Sequence, residues 1–233
     1  MGQGAGREAA VSKRDAAGWV ISVFGLLAGL AGLEHGIGEV LQGGAAPAGL
    51  VFPSWPEAAF FRIVAGEPAM SLVPNLLASG ILTILVSLGF LVWVMAFPRH
   101  KAGAPVLLGL SVLLLLVGGG FGPPLLGIIL GIAAARAQAG AGRRRPASGL
   151  CRALAALWPW CFTAAITAWL LVMPGTMLLD RWFGARHPAV VETLVPVFIL
   201  SAFSLLALAI LTGLVRDRLA GQGGRAGSPP ASA

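Results

Sequence analysis

The 233 residues are 57% hydrophobic and only 11% charged, against roughly 25% charged in soluble domains, which excludes an ordinary soluble enzyme. The net charge of +7 does not point to nucleic acid, because the arginines are spread over short connections with no reader motif beside them; it fits the positive-inside signal of an integral membrane protein. Cys151 and Cys161 form neither a CxxC pair nor a disulfide framework.

Residues 1–17 carry Arg7, Lys13 and Arg14 in a Gly/Ala-rich stretch and are expected to form a disordered cytoplasmic tail. The first membrane segment is expected over 18–41. A charged start before an apolar run also resembles a signal peptide, but no A-x-A site follows, so an uncleaved span is predicted. Within it Gly25, Gly29, Gly32 and Gly36 share one helix face, where a second helix can approach closely. The following connection contains Ser54-Trp55-Pro56-Glu57, with capping-box spacing. It predicts a short surface helix over 58–64, with Phe60 and Phe61 facing lipid or the bundle.

The second segment, 71–97, carries Asn75, Ser79, Thr83 and Ser87 at intervals of four. Such a stripe either hydrogen-bonds a neighbouring helix, its commoner use, or lines a polar path. Residues 106–135 are apolar except for the break GGGFGPP at 118–124. Irregular backbone survives at membrane depth only inside protein or beside a water-filled cavity, or else it marks an interface. The third and fourth segments, 105–117 and 123–138, are therefore expected to form a Gly/Pro-broken hairpin. A single crossing would put Arg136, Arg143, Arg144, Arg145 and Arg152 opposite Arg99 and Lys101, against the charge rule. Two readings of the break stay open: a tight external turn, or a re-entrant element whose amides bind an ion. Gly127 and Gly131 repeat the small-residue spacing in the fourth segment.

The fifth segment is expected over 153–173, bent at Pro159 and closed by Pro174-Gly175. The sixth is expected over 190–215, and 216–233 reads as a second disordered cytoplasmic tail. The predicted fold is all-α: a polytopic membrane helix bundle of about six segments, over 18–215, with both termini cytoplasmic. Thirteen of the 16 Lys and Arg residues then lie inside, and Arg62, Arg181 and Arg186 outside. Trp19 and Trp93 would mark the inner interface, Trp55 and Trp182 the outer.

Ionisable residues inside spans are functional suspects, and here they are Glu34, His35 and Glu39. Glu39 continues the glycine face and His35 lies close to it, whereas Glu34 points nearly opposite. Residues at the outer ends of other segments could join them: Glu67, Asn75, Asp180, His187 and Glu192. Three readings stay open. The group marks the wet end of the first span; or it handles protons or cations, with Glu34, His35, Glu39, Glu192 and Asn75 as candidates; or it holds a metal through His35, Glu39 and His187 or Glu192.

The stretches LEHGIGEVLQGG (33–44), AGEPAMSLVPNLL (65–77) and VGGGFGPPLLGIILGIAA (117–134) resemble those of a group of bacterial multi-pass membrane proteins with no assigned activity, over about the first 135 residues. The resemblance implies a bacterial inner (plasma) membrane location and transfers no catalytic residue. There is no GxxxxGK[ST], HExxH or GxSxG pattern, so an intramembrane enzyme ranks third among the readings and no cofactor is predicted. The expected function is transporter-like or channel-like, with an outward-facing acidic/His cluster. The alternative is a non-catalytic scaffold or accessory subunit that binds a partner membrane protein, or a second copy of the chain, through its glycine faces. The lipid bilayer is the one partner common to both readings, and nucleic acid belongs to neither.

Overall fold

The computed structural model describes residues 15–58, 61, 64–96, 100–140, 148–184 and 186–226. Six helices account for most of it: α1 Ala16–Leu41, α2 Leu76–Ala96, α3 Gly103–Val117, α4 Gly122–Gly140, α5 Gly149–Leu179 and α6 Pro188–Ala226. Among the described residues four stretches are long and apolar enough to cross a membrane: Ala16–Leu41, Leu76–Ala96, Gly149–Val172 and Ala189–Gly221. The mainly helical, membrane-compatible fold expected from composition is what the chain adopts.

Helix α1 starts where Asp15 accepts the Gly18 N–H at 2.8 Å, satisfying a first-turn donor that helical backbone leaves orphaned. Its glycine face is filled by α2 and α3. A Cβ at Gly25 would strike Val94, at Gly29 Leu91, at Gly32 Ser87, and at Gly36 it would stand 2.9 Å from Gly80 O. In the same way Ser111 and Phe90 cover Gly127, and Leu108 covers Gly131. Below the glycines, Phe24, Phe90, Leu107, Leu126, Leu130 and Leu206 form the apolar core.

The connection from α1 to α2 departs from expectation. Strands β1 Val51–Pro53 and β2 Pro68–Met70 pair antiparallel, with Phe52 opposite Ala69, so a small sheet flanks the 58–64 stretch in a connection where no strand is predicted. The capping box does not form: Ser54 Oγ is buried and has no hydrogen-bond partner among the described residues. Of the expected surface helix, residues 59, 60, 62 and 63, Phe60 among them, lie outside the described residues. Phe61 is buried and stacks on Trp55 at 5.4 Å between ring centres. Of the two faces expected for Phe61, lipid or bundle, it takes the inward one, where ring burial is gained. Helix α2 begins at Leu76, not Ser71, because Ser71 bridges to Val117 and Leu72 N–H donates to Leu116 O at 2.9 Å.

Two further boundaries differ. Helix α5 continues through Pro174 and passes into a wider π turn at Asp180–Gly184. Proline removes one backbone donor, and an apolar helix tolerates that where neighbouring groups satisfy the freed carbonyl. Helix α6 extends to Ala226, so residues 216–226 are not the disordered tail expected. The Asp217 carboxylate accepts the N–H groups of Ala16 and Ala17 at 2.8 Å each, which fixes this end of α6 on the first turn of α1. Residues 1–14 and 227–233, and Arg62, Arg99, Arg143, Arg144 and Arg145 with them, lie outside the described residues.

The start of α1 and the end of α6 thus share one end of the bundle, where Gln138 Nε2 also donates to His100 O at 3.1 Å. The sheet and the 118–121 turn share the other end, and the candidate site is there.

Candidate functional site

His35 sits on the last turns of α1 with only 7% of its side chain exposed. Its Nδ1 has Ala31 O at 3.1 Å, Glu34 Oε2 at 3.0 Å and Glu67 Oε2 at 3.3 Å. Glu67 reaches it from the sheet. There Glu67 holds φ at +54°, with Gly66 at +74° and Ala65 at +54° before it. A non-glycine residue in this region is strained, and such strain persists only where the surroundings over-determine it. Here Ser54 N–H donates to Glu67 O at 3.0 Å and Trp55 N–H to Gly66 O at 2.9 Å, so the β-paired segment aims the carboxylate at His35.

The 118–121 turn closes over the same residues. Gly118 ends α3 in the left-handed region, at φ +117°, with its N–H returned to Leu114 O; only glycine adopts this C-cap without penalty. Gly118 and Gly120 serve a second purpose. A Cβ at Gly118 would collide with the Glu39 carboxylate, and one at Gly120 with His35 Nε2. The glycine-rich break and the acidic/His cluster, two separate features of the sequence, are therefore the two halves of one site.

Glu39 is fully buried and neither carboxylate oxygen has a hydrogen-bond partner among the described residues. The neighbouring Ser79 hydroxyl has one proton, and its acceptors are Val117 O at 2.6 Å and Ser71 Oγ at 2.8 Å. Thr83 donates to the same Val117 carbonyl at 2.6 Å. Two residues of the α2 polar stripe thus cap the C-terminal end of α3, which is the helix-to-helix use of such a stripe.

Several expectations are corrected here. Glu34 does not point away: its side chain folds back along the helix to His35, since two carboxylates converging on one imidazole gain more than a solvent-facing pose. His35 and Glu39 face inward together but share no hydrogen bond, because Glu39 turns to Gly118. Asn75 belongs to the backbone of the connection. It accepts Ala78 N–H at 3.0 Å at the start of α2 and donates to Gly44 O at 2.8 Å, and it is half-buried. Glu192 and His187 are exposed near the start of α6. The metal set of His35, Glu39 and His187 is not assembled. Among the described residues the group whose ligand atoms lie within 4.8 Å of one another is Glu34, His35 and Glu67.

Glu67 is the residue that carries most beyond the sequence reading, which names it only as one of five possible neighbours. Its pairing depends on the β1–β2 register, and Ala65-Gly66-Glu67-Pro68 bears no mark of that except a glycine before and a proline after. Burial lifts the Glu67 carboxyl to about 8; His35 opposes the shift and Glu34 reinforces it.

The cluster forms the polar wall of a cavity of about 510 Å³ between α1, α4 and the α5–α6 pair. Phe61, Phe121, Trp169 and Phe203 supply its aromatic lining. While Glu67 holds its proton, up to about 8, the three groups carry at most one negative charge, and they carry it when the imidazole is neutral. Ionising Glu67 adds a second, so the wall attracts a cation when His35 is neutral. A search of family models, of curated proteins and of solved structures finds no match to the chain.

Proposed function

We propose that this chain is a transporter-like protein of six membrane segments, with α3 and α4 crossing as a hairpin and both termini cytoplasmic. Its ligand is an amphipathic organic cation. The location follows the resemblance of its first 135 residues: a bacterial inner membrane. The observation that carries the reading is the union of the Glu34–His35–Glu67 wall with an apolar, aromatic cavity. A cationic head meets the carboxylates, and an apolar body is held by Phe121, Trp169 and Phe203 through burial and cation–π attraction. The long apolar helices and the excess of Lys and Arg at one end support the topology. The scaffold alternative is weaker, because Gly25, Gly29, Gly32, Gly36, Gly127 and Gly131 are all covered from within the chain, which leaves none of these faces for a partner helix.

The test is binding of tetraphenylphosphonium to the detergent-purified chain, followed by uptake into proteoliposomes. Wild type should bind and take up the cation, the Glu34→Gln/Glu67→Gln variant should bind at least tenfold more weakly, and Glu192→Gln should match wild type. Absence of binding, or equal binding by the double variant, sinks the reading. Zinc ion alone serves as the competing probe: saturable binding that disappears in His35→Ala, with no response to the organic cation, would make the cluster a metal site instead.

A further inference from the structure

At the opposite end of the bundle α4 and α6 stand apart, leaving a groove of about 600 Å³. Ile132, Ile210, Leu211 and Leu214 line it, and Arg136 and Arg218 close it at the C-terminal ends of the two helices. We propose that this groove is a binding site for an anionic phospholipid, with one acyl chain along the apolar walls and the phosphate between the two guanidinium groups.

Charge complementarity carries the assignment. Both arginines are exposed, and among the described residues neither makes an ion pair. The nearest candidate counter-charge in sequence is Asp217, and it is turned the other way, holding the Ala16 and Ala17 N–H groups. Arg218 reaches across the gap: a Cβ at Gly140, the last residue of α4, would lie 3.1 Å from its Nε. Two cationic forks above an apolar slot match a phosphodiester above a hydrocarbon chain. Guanidinium recognises phosphate through paired N–H donors, and basic pockets between membrane helices on the cytoplasmic side take acidic headgroups. The groove shares no lining residue with the cation cavity, so the inference stands apart from the transport reading.

The experiment is native mass spectrometry of the full chain in detergent, titrated with dioleoyl phosphatidylglycerol or with dioleoyl phosphatidylcholine, alongside the shift in melting temperature. The chains of the two lipids are identical, so only the headgroup charge differs. Wild type should retain phosphatidylglycerol at least tenfold more strongly and melt higher in its presence. Arg136→Gln/Arg218→Gln should abolish the preference, while Arg181→Gln, at the other end of the bundle, should keep it. Ala207→Trp keeps both charges and fills the slot at an exposed lining position; it should also lose retention, which separates a lipid from a bare anion. Equal retention of the two lipids by wild type, an unchanged preference in the double arginine variant, or stabilisation by inorganic phosphate as large as that by the lipid would overturn the proposal.

Discussion

Helices α1–α4 are packed by glycine, and α5–α6 by aromatic rings. In the first group, backbones approach until a single added carbon would strike a neighbour, as at Gly36 against Gly80 O. In the second, Trp158 stacks on Phe162 at 5.1 Å and Trp169 meets Phe203 edge-on at 5.0 Å, and Phe24 of α1 touches both Phe162 and Trp169. The apolar window of α1 is 61% buried, whereas that of α5 is 6% buried. Glycine contacts leave no space and fix positions to a fraction of an ångström. Rings of this size leave gaps between them, and one gap is the cavity. The division of labour follows: α1–α4 with the small sheet hold every ionisable group of the site, and α5–α6 supply the apolar wall.

The largest test of this contrast sets Gly36→Leu against Gly175→Leu. At Gly36 the obstruction is backbone, Gly80 O at 2.9 Å and Ile84 N at 3.1 Å, which cannot yield. At Gly175 it is the edge of the Phe198 ring at 3.1 Å, which can. Gly36→Leu should cost about 3 kcal/mol or more, and Gly175→Leu about 1 kcal/mol, read as thermal unfolding in detergent. Equal losses would mean that the two regions are not packed differently.

Next comes the turn. Gly118→Ala carries the roughly 1–2 kcal/mol of a left-handed non-glycine residue and also displaces the Glu39 carboxylate. Repeating it in a Glu39→Ala background should recover part of the loss, with a coupling of about 0.5–3 kcal/mol. A coupling of zero would separate the glycine break from the site. The same substitution at Gly109, which has nothing within 4 Å, should have little effect.

What the sequence discloses of these two regions differs for the same physical reason. The glycine faces of α1 and α4, the polar stripe of α2 and the break at 118–124 are periodic or compositional, so they can be read directly, and the helices they mark lie close to where they are expected. The site is legible in part. His35, Glu34 and Glu39 stand out as charges in an apolar run, and their inward-facing position follows from helix geometry. Glu67 and the glycine cradle depend on contacts across distant sequence, a two-residue match of Phe52 with Ala69 and a left-handed turn, and no local spacing encodes those. In α5–α6 even the helix ends escape prediction: Pro174 is a weaker stop in an apolar helix than in water, and the end of α6 is held by Asp217 on the distant first turn of α1.

Smaller is the pH dependence that the first region carries through Glu67. The folded value of Glu67 is about 8, above its ordinary 4.5, so between those values the folded chain holds a proton that the unfolded chain has released. Stability then falls as pH rises: the contribution is complete below about 4.5 and lost through about 8. Melting temperatures measured from pH 5 to pH 9, bounds of about those two values, should decline more in wild type than in Glu67→Gln. Glu192→Gln, exposed on α6, should keep the wild-type decline. A flat wild-type profile would mean that the Glu67 carboxyl is already ionised in the fold.

The smallest effect tests how α2 holds α3. Ser79 and Thr83 both reach Val117 O, a carbonyl with two lone pairs that helix geometry leaves orphaned at the end of α3. Removing one hydroxyl leaves the carbonyl satisfied by the other, so Ser79→Ala and Thr83→Ala should each cost about 0.6 kcal/mol, the average for such interhelical bonds. Removing both strands a buried acceptor, at about 1–3 kcal/mol. The double variant should therefore lose more than the two single losses together, and it should also loosen the 118–121 turn that follows. Hydrogen exchange at Gly119, whose N–H is held by Leu114 O at 2.8 Å, reads that loosening. Simple additivity with no change at Gly119 would show that the stripe only packs, and that the turn is held by its own glycines.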